Sequence, residues 1–167
     1  YVFNNRAIVI PEPNCRKSDA NKYVPDWFKK SRYTLYVEGQ KEWDDCPLYL
    51  YDEWDAYINQ ALGAEDMKAR GLYDSGQQDI TYGAVEFVAY AIAVCMAADK
   101  ANDFSELLQA FTRFQLRRAF NAYYVGKGVW PFGEDEIVEK LKTGQEGEPI
   151  RTFMRSKLSF AIPDGPV

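Results

Sequence analysis

Two acidic runs that each carry a tryptophan, Glu42-Trp43-Asp44-Asp45 and Asp52-Glu53-Trp54-Asp55, are the residues of this 167-residue chain best suited by type to chemistry. Clustered carboxylates can hold a divalent cation, or divide into a general acid and a general base when their surroundings push their pKa values apart. The spacing lacks the alternating oxygen ligands, the central glycine and the closing glutamate of an EF-hand loop. A solvated acidic face or an interface patch is therefore the favoured reading. The rival, a small helical enzyme or ligand-binding protein, rests on this belt and the tyrosines around it.

The chain contains no histidine. That removes Ser-His-Asp and Cys-His relays within the chain, along with histidine-ligated zinc, haem and iron sites. Carboxylate, Lys, Tyr and Cys chemistry remains. Cys15, Cys46 and Cys95 are odd in number and lie 31 and 49 residues apart, which fits neither a CxxC redox motif nor a zinc knuckle. Three free thiols are expected, with Cys95 buried in a helix, and this favours a reducing compartment. Neither GxGxxG nor GxxxxGK[ST] occurs, so no phosphate loop is present and no cofactor is expected.

Glu86 interrupts an otherwise apolar run. An unpaired charge there would be costly, so it is expected to reach the surface near the helix start or to pair with an arginine of the following helix. Arg113, Arg117 and Arg118 stand at i, i+4 and i+5, and with Arg151, Arg155 and Lys157 they could line a groove for phosphates, with aromatics interleaved. The net charge of −5 and the lack of a nucleic-acid motif make salt bridges their favoured role. Nucleic acid is a possible but unfavoured partner.

The elements that must position these residues are mainly α. The spacing predicts a bundle of about five helices over 51–158, preceded by an extended, partly β arm over 1–50 and followed by a tail over 159–167. Pro11, Pro13, Pro25 and Pro47 exclude a long helix from the arm. Strands are expected over 7–10 and 32–38, the second with Tyr33, Leu35 and Val37 on one face. Trp54, Tyr57, Ile58 and Leu62 mark a helix ending before Gly63, with a second short piece over 64–70. Residues 74–83 read as a loop.

Tyr82 to Ala98 is 17 residues of nearly all-round apolar character, containing Glu86 and many alanines. It belongs at the centre of a bundle and is not expected to span a membrane. Asp103-Phe104-Ser105-Glu106 has the form of a helix cap, opening a helix to about residue 125 across a tight turn at Asn102 and Asp103. A rigid aromatic connector over 128–133, a short helix over 134–143 and a final helix beginning at Pro149 complete the chain.

Charge and aromatics suggest how the chain is used. Residues 1–32 carry seven cations against three acids, a net of +4, whereas residues 33–100 carry four against thirteen, a net of −9. Of 26 aromatic residues, twelve fall in the first 57, more than a proline-broken segment can bury by itself. They need another surface. The expectation is a non-enzymatic structural subunit of a larger assembly, of coat, filament or accessory type, whose arm and tail contact protein neighbours, its own copies or others. Tyr23, Trp27, Phe28, Lys29, Lys30, Tyr33, Tyr36, Trp43, Asp44 and Asp45 are the expected contact residues, and Arg113, Arg117 and Arg118 the candidate phosphate contacts.

Overall fold

The computed structural model describes residues 1–3, 6–72, 78–129 and 136–166. Its organising element is α2 (Gln78–Lys100), in which Ala84, Val85, Phe87, Val88, Ala89, Tyr90, Ala91, Ile92, Ala93 and Cys95 are fully buried. A helix apolar all round must be covered on every side. It is flanked by α1 (Tyr49–Ala69), α3 (Glu106–Val129), α4 (Glu136–Lys142), α5 (Glu148–Leu158) and a 3-10 turn at Lys17–Lys22. The fold is mainly α, with five helices of seven or more residues among those described. Its strands are Val2–Phe3 (β1) and Arg6–Ala7 (β2), paired antiparallel with Val2 opposite Ala7. The expected strand over 7–10 thus joins the pair only at Ala7.

Small residues set the close approaches. A Cβ at Gly83 of α2 would stand 2.4 Å from the Tyr57 ring of α1, so only glycine admits that ring. Trp54 of α1, fully buried, donates its indole N–H to the Ala84 carbonyl at 2.8 Å. The Tyr51 hydroxyl meets Thr112 Oγ1 of α3 at 2.7 Å and Cys95 Sγ of α2 at 2.9 Å, a satisfied polar knot where three helices meet.

Several boundaries differ from the sequence reading. α1 runs without interruption through Gly63, where a Cβ would meet nothing, because one exposed glycine costs a helix only about 1 kcal/mol. α3 is capped by Ser105, whose Oγ accepts the Leu108 N–H at 3.2 Å, while Asp103 instead accepts the Asn14 N–H at 2.8 Å. The tight turn at Asn102 is present: its φ of 57° and the Asp103 N–H to Ala98 carbonyl bond of 2.9 Å make a left-handed helix stop. α2 begins at Gln78, inside the segment expected to be a loop. The aromatic connector lies outside the described residues from Trp130 onward.

The larger correction is over 32–38, where the expected strand is instead a π-helical turn, Tyr33–Glu38. Tyr33 and Val37, four apart, are buried on one face, whereas Leu35 is 52% exposed. The turn is closed by Lys17, itself 1% exposed, whose ammonium donates to the carbonyls of Tyr36, Val37 and Gly39 at 2.9, 2.8 and 2.6 Å. A buried cation is tolerable there because the carbonyl ends of a helical turn are negative. No strand pairing supplies that compensation.

The first fifty residues lie against the chain's own helices. Val24, Phe28, Tyr33 and Val37 belong to the same apolar core as α1–α3 and α5, and the Tyr90 hydroxyl of α2 reaches the Phe28 carbonyl at 3.0 Å. Here is the surface that their rings require. Arg32 fixes the segment: its guanidinium meets Glu86 Oε2 at 2.7 Å and Asp79 Oδ1 at 2.5 Å, and stacks over the Tyr57 ring at 5.4 Å. Glu86 therefore pairs with an arginine of the N-terminal segment and not with one of the following helix, and its other oxygen accepts the Tyr90 hydroxyl at 2.5 Å.

The Arg32 and Glu86 side chains are only 13% and 4% exposed. Removing one member of such a pair strands a buried charge, at a cost of about 3–5 kcal/mol. Arg32→Met alone is expected to lower stability by that amount in urea unfolding, whereas Arg32→Met with Glu86→Gln recovers most of it. Equal midpoints for the wild type and Arg32→Met would show that the segment is not anchored here.

Candidate interaction site

Among the described residues the acidic belt does not gather into a metal centre. Asp44 accepts the Ser18 N–H at 2.8 Å and faces Arg16, which also pairs with Asp45 at 3.5 Å. Asp55 is held by Arg118 and by Gln115, each at 2.6 Å. Glu42 and Asp52 point outward, and Glu42, Asp52 and Glu53 make no ion pair among the described residues. Nor do the described residues bring three or more Cys, Asp or Glu together as metal ligands.

Two of the thiols, Cys15 and Cys95, are poor nucleophiles. Burial pushes Cys95 up to about 12, and burial with the nearby Asp19 pushes Cys15 up to about 11, leaving both protonated at neutral pH. All three cysteines are free.

The expected contact residues divide into two groups. Phe28 and Tyr33 are 1% and 4% exposed and belong to the core, which removes them from any interface in this conformation. Tyr23, Trp27 and Tyr36 are half-buried: Tyr36 packs edge-on to Tyr57, and Trp27 carries the Lys30 ammonium 3.6 Å above its ring. Lys29 pairs with Asp26 at 2.7 Å. Trp43 is different. It is 45% exposed and lies parallel to the Tyr49 ring, centroids 5.4 Å apart and planes 8° from coplanar.

Trp43 and Tyr49 are set where the chain turns into α1, with the carboxylates of Glu42, Asp45 and Glu53 near them in sequence. Burial, reinforced by Glu53, holds the Tyr49 hydroxyl well above the usual phenol range, so the patch bears no phenolate. The combination is a rigid amphipathic ring pair among acids.

The arginine stripe of α3 splits as well. Arg118 is committed to Asp55, Gln115 and Asn59 on the α1 side. Arg113 and Arg117 lie two residues either side of Gln115, which at 3.6 residues per turn sets them on the face turned away from α1. Neither makes an ion pair among the described residues.

Two further features stand out, the first without a sequence signal and the second foreshadowed only by Arg151 and Arg155 in the candidate phosphate groove. One is Glu65 of α1, 4% exposed, with neither carboxyl oxygen hydrogen-bonded among the described residues; a Cβ at Gly126 of α3 would stand 2.7 Å from its Oε1 and 3.3 Å from Thr81 Oγ1 of α2. The other is a cavity of about 300 Å³ between α4, α5 and the tail, lined among others by Lys142, Arg155 and Phe160. The first joins residues of α1, α2 and α3 that are far apart in the chain; the second is built within residues 142–164.

Comparison of the chain with protein-family models, curated proteins and solved structures returns no match. One described helix, Asp79–Lys100, is long and apolar enough to cross a membrane, and 83% of its apolar window is buried inside the fold.

Burial alone pushes the Glu65 carboxyl up to about 8. Its folded pKa thus exceeds that of the unfolded chain, and the stability it contributes is full below about pH 4.5 and is lost as pH rises through about 8. Glu65→Gln is expected to raise the melting temperature by about 5 °C near pH 9, with a smaller difference near pH 5. Parallel pH profiles for the two proteins would place the carboxyl in water.

Proposed function

We propose that the protein is a non-enzymatic structural subunit of a larger assembly, and that the neighbour it grips is a second copy of itself. The observation that carries this reading is the exposed Trp43 stacked on the half-buried Tyr49, with Glu53 and Glu42 close to the pair. Tryptophan and tyrosine are the side chains most often decisive at interfaces, because they bury large area while keeping a polar tip satisfied.

Charge selects the occupant. The cations of residues 1–32 are largely used within the chain: Arg16 on Asp44 and Asp45, Lys17 on carbonyls, Lys22 on Asp19, Lys29 on Asp26, and Arg32 on Asp79 and Glu86. The expected contact between the arm of one copy and the belt of the next thus loses most of its cations. Arg113 and Arg117 take their place, facing away from α1 with no ion pair among the described residues. Complementary charge at such a contact sets orientation and association rate, and an arginine over an indole face adds cation–π attraction.

The enzyme reading draws less support, since the carboxylates of the belt are either paired or dispersed. In sedimentation velocity the wild type is expected to self-associate with concentration, less so as salt shortens the screening length below about 8 Å. Trp43→Ala should weaken association about tenfold or more. The double variant Arg113→Glu/Arg117→Glu should be monomeric, and mixing it with Glu42→Lys/Glu53→Lys should restore association between the two variants. A single-chain mass for the wild type at every concentration and salt would overturn the proposal.

A further inference from the structure

We infer that the cavity between α4, α5 and the C-terminal tail is a binding site for a small organic carboxylate that carries a short apolar chain. This goes beyond the assembly role and uses none of the residues assigned to it. The cavity, of about 300 Å³, lies at the lower end of the size range of ligand pockets. Its lining brings three cations, Lys142, Arg151 and Arg155, to a single carboxylate, Asp164, above an apolar floor of Met154, Phe160 and Ile162.

The site is built by the fold and is not a chance row on one helix. Ser159 adopts a left-handed φ of 49°, turning the chain back so that the Phe160 N–H bonds the Met154 carbonyl at 3.0 Å. The Phe160 ring then packs on Phe120 of α3, 6.1 Å between centroids, and the Tyr124 hydroxyl donates to the Pro163 carbonyl at 2.7 Å. Between those two anchors the tail forms one wall. The opposite wall is fixed by Arg151, 7% exposed, whose guanidinium donates to the carbonyls of Leu141 and Gly144 at 2.9 and 2.8 Å and to Glu148 at 2.5 Å.

The chemistry of the ligand follows from which cations are available. Arg151 directs Nη1 at three carbonyls and Nη2 at Glu148, so most of its donors are engaged and it contributes its field more than its donors. Arg155 is exposed and makes no ion pair among the described residues. Lys142 meets the Asp164 carboxylate at 2.6 Å, and the Asp164 side chain is 94% exposed. An ion pair with one partner so exposed contributes little to stability, so a carboxylate from solution can take the place of Asp164 at small cost. Asp164 already shows the anion that Lys142 accepts. The floor of Met154, Phe160 and Ile162 favours an anion with carbon behind it over a fully hydrated inorganic one.

The test is a titration of the isotope-labelled full chain with pentanoate and, separately, with inorganic phosphate, followed by backbone amide shifts. Pentanoate is expected to give saturable shifts confined to residues 142–144, 154–155 and 160–164. Phosphate is expected to bind at least about tenfold more weakly. Asp164→Asn, which removes the competing carboxylate, should tighten pentanoate binding about threefold or more, and Lys142→Gln with Arg155→Gln should abolish it while the melting temperature stays within a few degrees of wild type. No saturable shift, shifts centred elsewhere, equal binding of phosphate, or unchanged affinity in Asp164→Asn would each overturn the assignment. The monomeric Arg113→Glu/Arg117→Glu protein should bind pentanoate as the wild type does, so failure of the assembly contact and failure of this site are read separately.

Discussion

The burial of α2 on every side is the constraint from which the rest of the structure follows. A single chain of 167 residues that places an all-round apolar helix at its centre must use nearly every other element as cover. Three long helices cannot close the circle, so the irregular N-terminal segment and the short C-terminal helices complete it. The one charge on the buried stretch, Glu86, turns that cover into an anchored one. The approach of Arg32, with the Tyr90 hydroxyl on the other oxygen, makes the carboxylate tolerable, and Phe28 and Tyr33 join the core beside it.

Much of this was legible in the residues themselves. The apolar run of α2, the helix after the Asn102 turn that became α3, that turn itself and the start of α5 at Pro149 are local patterns, and each is present within a few residues of where periodicity and turn chemistry put it. The errors fall where a distant group decides. Tyr33, Leu35 and Val37 alternate as a strand should, and nothing between 32 and 38 reveals that Lys17 will supply the donors that close a helical turn there. In the same way, the twelve early aromatics did signal a missing surface, but composition does not say whether that surface belongs to the same chain.

The candidate residues show the same division. Trp43 stands in an acidic run with no apolar periodicity to claim it, and it is exposed as that pattern implies. Phe28 and Tyr33, candidates beside it, are core. Arg118 differs from Arg113 and Arg117 by one or five positions in sequence, yet helical rotation alone gives it to Asp55 and turns the other two away. Of the cavity, only Arg151 and Arg155 were legible, as part of a possible anion groove; Lys142 and Asp164 join them only once a left-handed Ser159 has folded the tail back across α3.

The segregation of charge along the chain acquires a different meaning in three dimensions. The positive first segment and the negative second one neutralise each other largely within one molecule, through Arg16 with Asp44 and Asp45 and through Arg32 with Asp79 and Glu86. Folding thereby subtracts the charges that sequence arithmetic makes most conspicuous, and the residue is what a neighbour would meet: acids around Trp43, cations at Arg113 and Arg117. These are two different patches on one chain, with the arginines on the face of α3 directed away from α1 and the ring pair built on the start of α1. A contact that joins them makes a two-fold dimer only where both patches of each copy are engaged at once; engaged one at a time, it is heterologous. Repeated, it closes a ring if the rotation between copies divides a full turn and otherwise extends as a filament.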